Sequence, residues 1–197
     1  HYRARRQRQM CIRDRTYAEI PYDVVYDTEI LTGELPKYDW LHLHHEDFTG
    51  QYGKFYRAYR SASWYQEEVA QQTGTAEIMG FQKVSEMKRT VATNIRDFLL
   101  GGGFLFTMCS GTDSYDIALA AQGVDICGPM FDGDPSDAAA QSKLQFDAGL
   151  AFQDYQLEMD PMVYEFSEID GTKDHSDIKP INDLSLIHIS EPTRRDP

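Results

Sequence analysis

Between Ser85 and Met108 the chain changes from helical to extended periodicity across a hinge of three glycines, and no other stretch restricts the fold as tightly. Met87, Val91, Ile95, Phe98 and Leu99 follow one another at spacings of four, four, three and one, which puts all five on one face of a helix over Ser85–Leu100. Gly101-Gly102-Gly103 ends that helix, since glycine accepts the left-handed conformation found just past a helix terminus. Phe104 to Met108 then reads as a buried strand, Cys109 to Ser114 as a sharp turn, Tyr115 to Gln122 as a second helix closed by Gly123, and Val124 to Ile126 as a further strand. An earlier run, Tyr38 to His44, is large and mostly apolar without clear alternation, as expected of a strand covered on both faces. Helix and strand in alternation predict an α/β fold of the doubly wound kind, with a mostly parallel sheet.

The two ends of the chain have a different character. Met10-Cys11-Ile12-Arg13-Asp14 is what the mosaic end of a transposase yields when translated, and Arg5-Arg6-Gln7-Arg8-Gln9 fits the primer before it. Leu184 to Arg194 fits the reverse complement of the same element. On this reading residues 1–15 and 184–197 are translated sequencing adapter, and 16–183 is a fragment of one α/β domain. The tails carry eight of the 19 Lys and Arg residues. Without them 11 basic side chains stand against 29 acidic ones, a formal charge of −18 in place of −13. Arg3, Arg5, Arg6 and Arg8 then cease to read as a nucleic-acid-binding arm, and an acidic chain of this kind disfavours nucleic acid and anionic membrane surfaces as partners. No apolar run is long enough to span a membrane. Compartment and oligomeric state are left open by the sequence.

Thr16 to Pro21 reads as the end of a helix, Tyr22 to Tyr26 as a short β-branched and aromatic run, and Thr32-Gly33 as a turn. From about residue 49 to 84 the composition suggests a helical insertion. Its aromatics, Phe55, Tyr56, Tyr59, Trp64 and Tyr65, are expected to pack it against the domain rather than to line a groove. Asp132, Asp134 and Asp137 lack calcium-loop spacing and read as a solvated loop. Met162 to Phe166 is a candidate later strand. Outside the tails there are two cysteines, Cys109 and Cys127, too few for a disulfide framework and not spaced as zinc ligands.

The segment richest in chemistry is Phe104 to Ser114. A thiol at the point where a strand turns into a helix sits at the carboxyl edge of the sheet, where α/β proteins bind ligands. The unpaired N–H groups and positive dipole end of the following helix suit a thiolate at Cys109 and could hold an oxyanion. Such a turn is a nucleophile elbow, and Gly111 supplies the small residue two positions on. The competing reading of Cys109 is a plain buried cysteine.

These residues, Gly101 to Gly103, Phe104 to Met108, Cys109 and Gly111, resemble the class I glutamine amidotransferase-like superfamily. The resemblance implies a flavodoxin-like fold and amide hydrolysis or acyl transfer, with Cys109 as nucleophile and the Ser110 N–H as oxyanion donor. It also implies a catalytic histidine and acid on a strand beyond Asp183, so the fragment itself is expected to be inactive. His175 is the sole histidine between Cys109 and that point, in a loop-like Asp-His-Ser setting. The loop Thr49-Gly50-Gln51-Tyr52-Gly53 takes the place of the superfamily's oxyanion loop without its Gly-Gly-Pro-Gly sequence.

Over nearly the whole of 16–183, including Trp40-Leu41-His42-Leu43-His44-His45-Glu46-Asp47-Phe48-Thr49-Gly50 and Gly123 to Cys127, the chain looks like a bacterial family often labelled asparagine synthetase B. That label implies an alternative, an ATP-dependent amide-forming ligase gripping pyrophosphate with Ser110 to Ser114, although Cys109 and Ser110 depart from the Ser-Gly-Gly-x-Asp-Ser loop. A third reading is a non-catalytic ligand-binding domain.

His42 and His44 share one face of an extended strand, and with Glu46 or Asp47 they resemble the His-x-His-x-Asp-His motif of metallo-hydrolases, without its closing histidine. Hydrogen-bonded histidines at a strand end are the favoured reading, so no metal or other cofactor is expected. If the elbow reading holds, both strands end on one sheet edge. His44, His45, Glu46, Asp47, Asp113 and Ser114 would then line a pocket beside Cys109 for a small-molecule substrate or amide ligand.

Overall fold

The computed structural model describes residues 22–162 together with the backbone of 177–178. Both adapter-like tails, Thr16 to Pro21, His175 and most of the run Met162 to Phe166 lie outside the described residues.

Among the described residues, seven α-helices accompany a parallel pair of strands and a short antiparallel pair. In chain order the elements are α1 Asp27–Leu31, β1 Trp40–His44, α2 Tyr56–Tyr59, α3 Ser63–Ile78, α4 Val84–Leu100, β2 Phe104–Met108, α5 Ser110–Ala120, α6 Pro129–Asp132, α7 Ala140–Lys143, β3 Phe152–Gln153 and β4 Asp177–Ile178. β1 and β2 are parallel and in register from Trp40 opposite Phe104 to His44 opposite Met108. A separate antiparallel pair joins β3 to β4. The molecule is thus a mixed α/β structure whose parallel sheet, among the described residues, has two strands.

Helix α4 forms where the periodicity predicts it. Met87, Val91 and Ile95 are fully buried, and Phe98 and Leu99 nearly so. Past Leu100 the chain turns through Gly102 at φ 100°, and the Gly103 N–H donates back to the Phe98 carbonyl at 3.0 Å. A Cβ on Gly103 would come within 2.2 Å of the Phe98 ring, so the third glycine is fixed by close approach as much as by the turn.

The inner face of the sheet carries Leu43 and Leu105 into one cluster with Val91, Ile95, Leu99, Tyr115 and Leu119, so α4 and α5 cover the same face. The outer face differs from the expectation of burial on both sides. Trp40 is 55% exposed and Phe106 39% exposed. Trp40 meets Phe104 edge to face at 5.7 Å, and His42 meets Phe106 at 5.1 Å. Large apolar residues at consecutive positions of Tyr38–His44 suggested two covered faces, but here the alternate positions form an aromatic ladder facing outward.

Two further expectations are corrected. Helix α5 begins at Ser110 rather than Tyr115, because Cys109 alone makes the turn and the weak helix formers Ser110, Gly111 and Thr112 become its first turn. Asp113 in that turn suits the helix dipole. Val124 to Ile126 forms no strand among the described residues: the Asp125 carbonyl accepts from Asp137 N–H, and the Asp125 carboxylate accepts from Cys127 N–H, both at 2.9 Å. Tyr22 to Tyr26 is likewise without regular structure, and Asp137 joins Lys143 in an ion pair on the loop surface.

Between β1 and α4 the aromatics pack on one another and on α6. Tyr52, Phe55, Tyr56, Trp64, Tyr65 and Phe131 belong to one cluster with Val84 and Met87 of α4. Burying such rings contributes stability by area and by edge-to-face geometry. The Tyr65 hydroxyl, with neighbouring phenols and Asp47 around it, is pushed well above the usual tyrosine range by burial.

Candidate functional site

The in-register end of β1 and β2 places His45 and Cys109 side by side, each the first residue past its strand. Both leave the strand with positive φ, 65° at His45 and 57° at Cys109, and Cys109 has ψ −140°. Non-glycine residues in such regions are strained by about 1–3 kcal/mol and persist where the surroundings over-determine them. At Cys109 the reason is topological. The chain must reverse from a strand into a helix within one residue, and Thr112 N–H already bonds the Cys109 carbonyl at 3.0 Å. The turn leaves the Cys109 side chain exposed, whereas Cys127 is buried, its Sγ donating to the Thr49 carbonyl at 3.2 Å.

The loop after β1 is held against α5 by its own side chains. Glu46 accepts from the His44 N–H through Oε2, and its carbonyl accepts from Ser114 Oγ at 2.9 Å. A Cβ on Gly111 would lie 3.4 Å from Glu46 Oε2 and 3.7 Å from the His45 and Glu46 nitrogens. A methyl group therefore just fits at this position and anything larger would push the loop away. The Thr107 and Thr112 hydroxyls, 2.9 Å apart, brace the strand to the helix across the turn.

Each residue expected at the pocket has a distinct place. Cys109, Ser110 and Gly111 form the elbow, and His44, His45 and Glu46 form the adjoining loop. The His44 and His45 rings lie 4.0 Å apart. Burial lowers the pKa of His45, so its imidazole is neutral at pH 7, and its Nε2 is buried without a hydrogen-bond partner among the described residues. Asp47 is turned inward instead. Its Oδ1 accepts from the Thr49 N–H at 2.9 Å and the Thr49 hydroxyl at 2.6 Å, and its Oδ2 accepts from the Gln51 and Gly53 N–H groups at 2.8 and 3.1 Å. It organises the 47–53 loop. Ser114 and Asp113 are buried in α5, the Ser114 hydroxyl being committed to Glu46.

His42 and His44 share the outward face, their rings 6.4 Å apart. Among the described residues these histidines do not gather a third histidine, cysteine, aspartate or glutamate ligand; Asp125, Cys127 and Asp132 do come together as a possible ligand group. The reading of Asp132 and Asp134 as part of a solvated loop is corrected here: Asp132 ends helix α6 with its side chain 9% exposed, and both carboxylates pair with Lys83. Lys83, which joins that group, stands 42 residues before Asp125 and 51 before Asp134. The positive φ of His45 was invisible in the sequence, because histidine gives no warning of a conformation normally marked by glycine.

A cavity of about 490 Å³ opens at the opposite end of the sheet, lined by Tyr38, Asp39, Asn94, Asp97 and Phe98. It lies at the start of the strands and holds none of the residues that chemistry at Cys109 would need. No helix among the described residues is long and apolar enough to cross a membrane. Comparison with family models, with curated proteins and with solved structures finds no match to this chain.

Proposed function

We propose that the chain carries a glutamine amidotransferase-like, flavodoxin-type α/β domain in which Cys109 is the nucleophile of amide hydrolysis or acyl transfer. The observation that carries this reading is the exposed thiol at φ 57°, ψ −140°, between a parallel strand and the amino end of α5. In the first half-reaction Cys109 Sγ bonds to the acyl carbon, the bond to the leaving group breaks, and the thiol proton departs with the amine. The oxyanion formed on the way is met by the Ser110 N–H. Water then cleaves the thioester and restores the thiol. The His44–Glu46 loop borders the acyl pocket, with His45 neutral beside the nucleophile.

The ligase reading has less support. Pyrophosphate at the amino end of α5 would face the Glu46 carboxylate beside Gly111, and the Ser114 hydroxyl is already engaged.

An activated ester needs no proton donor for its leaving group, so it isolates the first half-reaction. Incubation with p-nitrophenyl acetate followed by peptide mass mapping is expected to place one acetyl group on Cys109, with none on the Cys109→Ala chain beyond background. Acetylation spread over lysines with Cys109 unmodified would leave a non-catalytic binding domain as the better account.

A further inference from the structure

We propose that Asp125, Cys127 and Asp132 form a divalent-metal site, fitted to Zn²⁺, in which the Lys83 ammonium is the resting cation. The site is separate from Cys109 and does not depend on the reading of that residue.

Three carboxylates converge on one ammonium. Lys83 Nζ lies 2.6 Å from Asp125 Oδ2, 3.2 Å from Asp132 Oδ2 and 2.6 Å from Asp134 Oδ1. One positive charge thus faces three negative ones at a partly desolvated place, where Lys83 is 22% exposed and Asp132 only 9%. Neither carboxylate oxygen of Asp132 accepts a hydrogen bond, and the Lys83 contact reaches it as an ion pair from one side. A largely buried carboxylate that shares one ammonium with two others is incompletely neutralised, and a divalent cation would answer its charge more fully.

A non-carboxylate donor stands with it. Ligand atoms of Asp125, Cys127 and Asp132 lie within 4.8 Å of one another, and donors around a tetrahedral zinc ion sit roughly 3.3–3.8 Å apart. Binding would require the Asp125, Cys127 and Asp132 side chains to rotate toward one another by that difference. The Cys127 N–H bonds Asp125 Oδ1 at 2.9 Å, which holds the two ligands in one turn. A thiolate with two carboxylates suits a borderline ion such as Zn²⁺, or Cd²⁺ as a probe, better than Mg²⁺ or Ca²⁺, and water completes the fourth position. On binding, the metal takes the place of the ammonium and of the thiol proton, and the hydrogen bond from Cys127 Sγ to the Thr49 carbonyl is given up. The proton goes to solvent, and Lys83 keeps its partner Asp134, which is 53% exposed and gives the ammonium a place beside water.

The test uses the full chain carrying Cys11→Ser and Cys109→Ser, so that Cys127 is its single thiol. Cd²⁺ is titrated while the ultraviolet cadmium–thiolate charge-transfer band is followed, and Zn²⁺ binding is measured by calorimetry. The expected result is a saturable band at one equivalent, abolished by Cys127→Ser. Zn²⁺ affinity is expected to fall about tenfold or more with Asp132→Asn and to rise about tenfold with Lys83→Gln, because the competing cation is gone. Far-ultraviolet circular dichroism checks that each variant is folded. If Asp132→Asn is not, Lys83→Gln and Cys127→Ser still decide. Absence of the band at about 1 mM Cd²⁺, or a Zn²⁺ affinity unchanged by Lys83→Gln, would overturn the proposal.

Discussion

Replacing Cys109 by glycine should make the folded chain more stable than replacing it by alanine, reversing the usual order of the two residues. At φ 57° and ψ −140° any side chain is strained, and alanine keeps that strain while removing the thiol. Release by glycine is worth about 1–3 kcal/mol. Against it stands the extra freedom of glycine in the unfolded chain, about 0.5–1 kcal/mol. The net expectation is that Cys109→Gly exceeds Cys109→Ala by about 0.5–2 kcal/mol. With a denaturant dependence of about 2 kcal/mol per molar urea, the midpoints should differ by roughly 0.3–1 M. Comparing two variants cancels the loss of the thiol itself, whose side chain is exposed. Equal midpoints, or a higher one for alanine, would refute the reasoning: Cys109 would not be held in the elbow conformation on which the proposed chemistry stands.

Three other outcomes follow from separate parts of the structure. Asp47→Asn should destabilise by about 2–5 kcal/mol in urea melts, because the new amide turns an N–H₂ toward the Gln51 or Gly53 N–H groups; a loss below 1 kcal/mol would show that the loop does not depend on the carboxylate. Ile95→Ala, in the core face of α4, should cost about 2–5 kcal/mol, while Leu100→Ala on the same helix, 72% exposed, should stay within about 0.5 kcal/mol, both read from the same melts. His45 is lowered from an ordinary value of 6.5, so its contribution is complete above that pH and is lost as pH falls below it, where the unfolded chain takes up a proton before the folded one. The difference in urea midpoint between pH 7.5 and 5.5 should therefore be smaller in His45→Gln than in the unaltered chain, and an equal difference would contradict the burial argument.

How far the sequence revealed this arrangement depended on which force set each feature. Helix α4 was legible because five apolar residues repeat at helical spacing and three glycines end the run, and β2 because an apolar segment follows at once. The junction at Cys109 was legible as a turn, but not its size. Ser110, Gly111 and Thr112 are poor helix formers, yet the position of Cys109 makes them the first turn of α5. Val124 to Ile126 has strand composition, but composition does not supply a partner, and the Asp125 and Asp137 contacts take the backbone instead. Trp40, His42, Phe104 and Phe106 look like core residues one at a time. Only the register of β1 with β2 shows that they share the outer face. Within the site, Cys109 and Gly111 announced themselves by type and spacing, whereas the inward turn of Asp47 and the strain at His45 arise from contacts that no local pattern encodes.

The most direct test of the account is the rate at which iodoacetamide alkylates Cys109 at neutral pH, measured by peptide mass mapping on the native chain and again in strong urea. If the elbow and the amino end of α5 prepare the thiol for attack, Cys109 reacts about tenfold or more faster in the folded chain than in the unfolded one, while buried Cys127 does the reverse. A folded-state rate for Cys109 equal to or below its unfolded rate would contradict the claim that this turn builds a nucleophile.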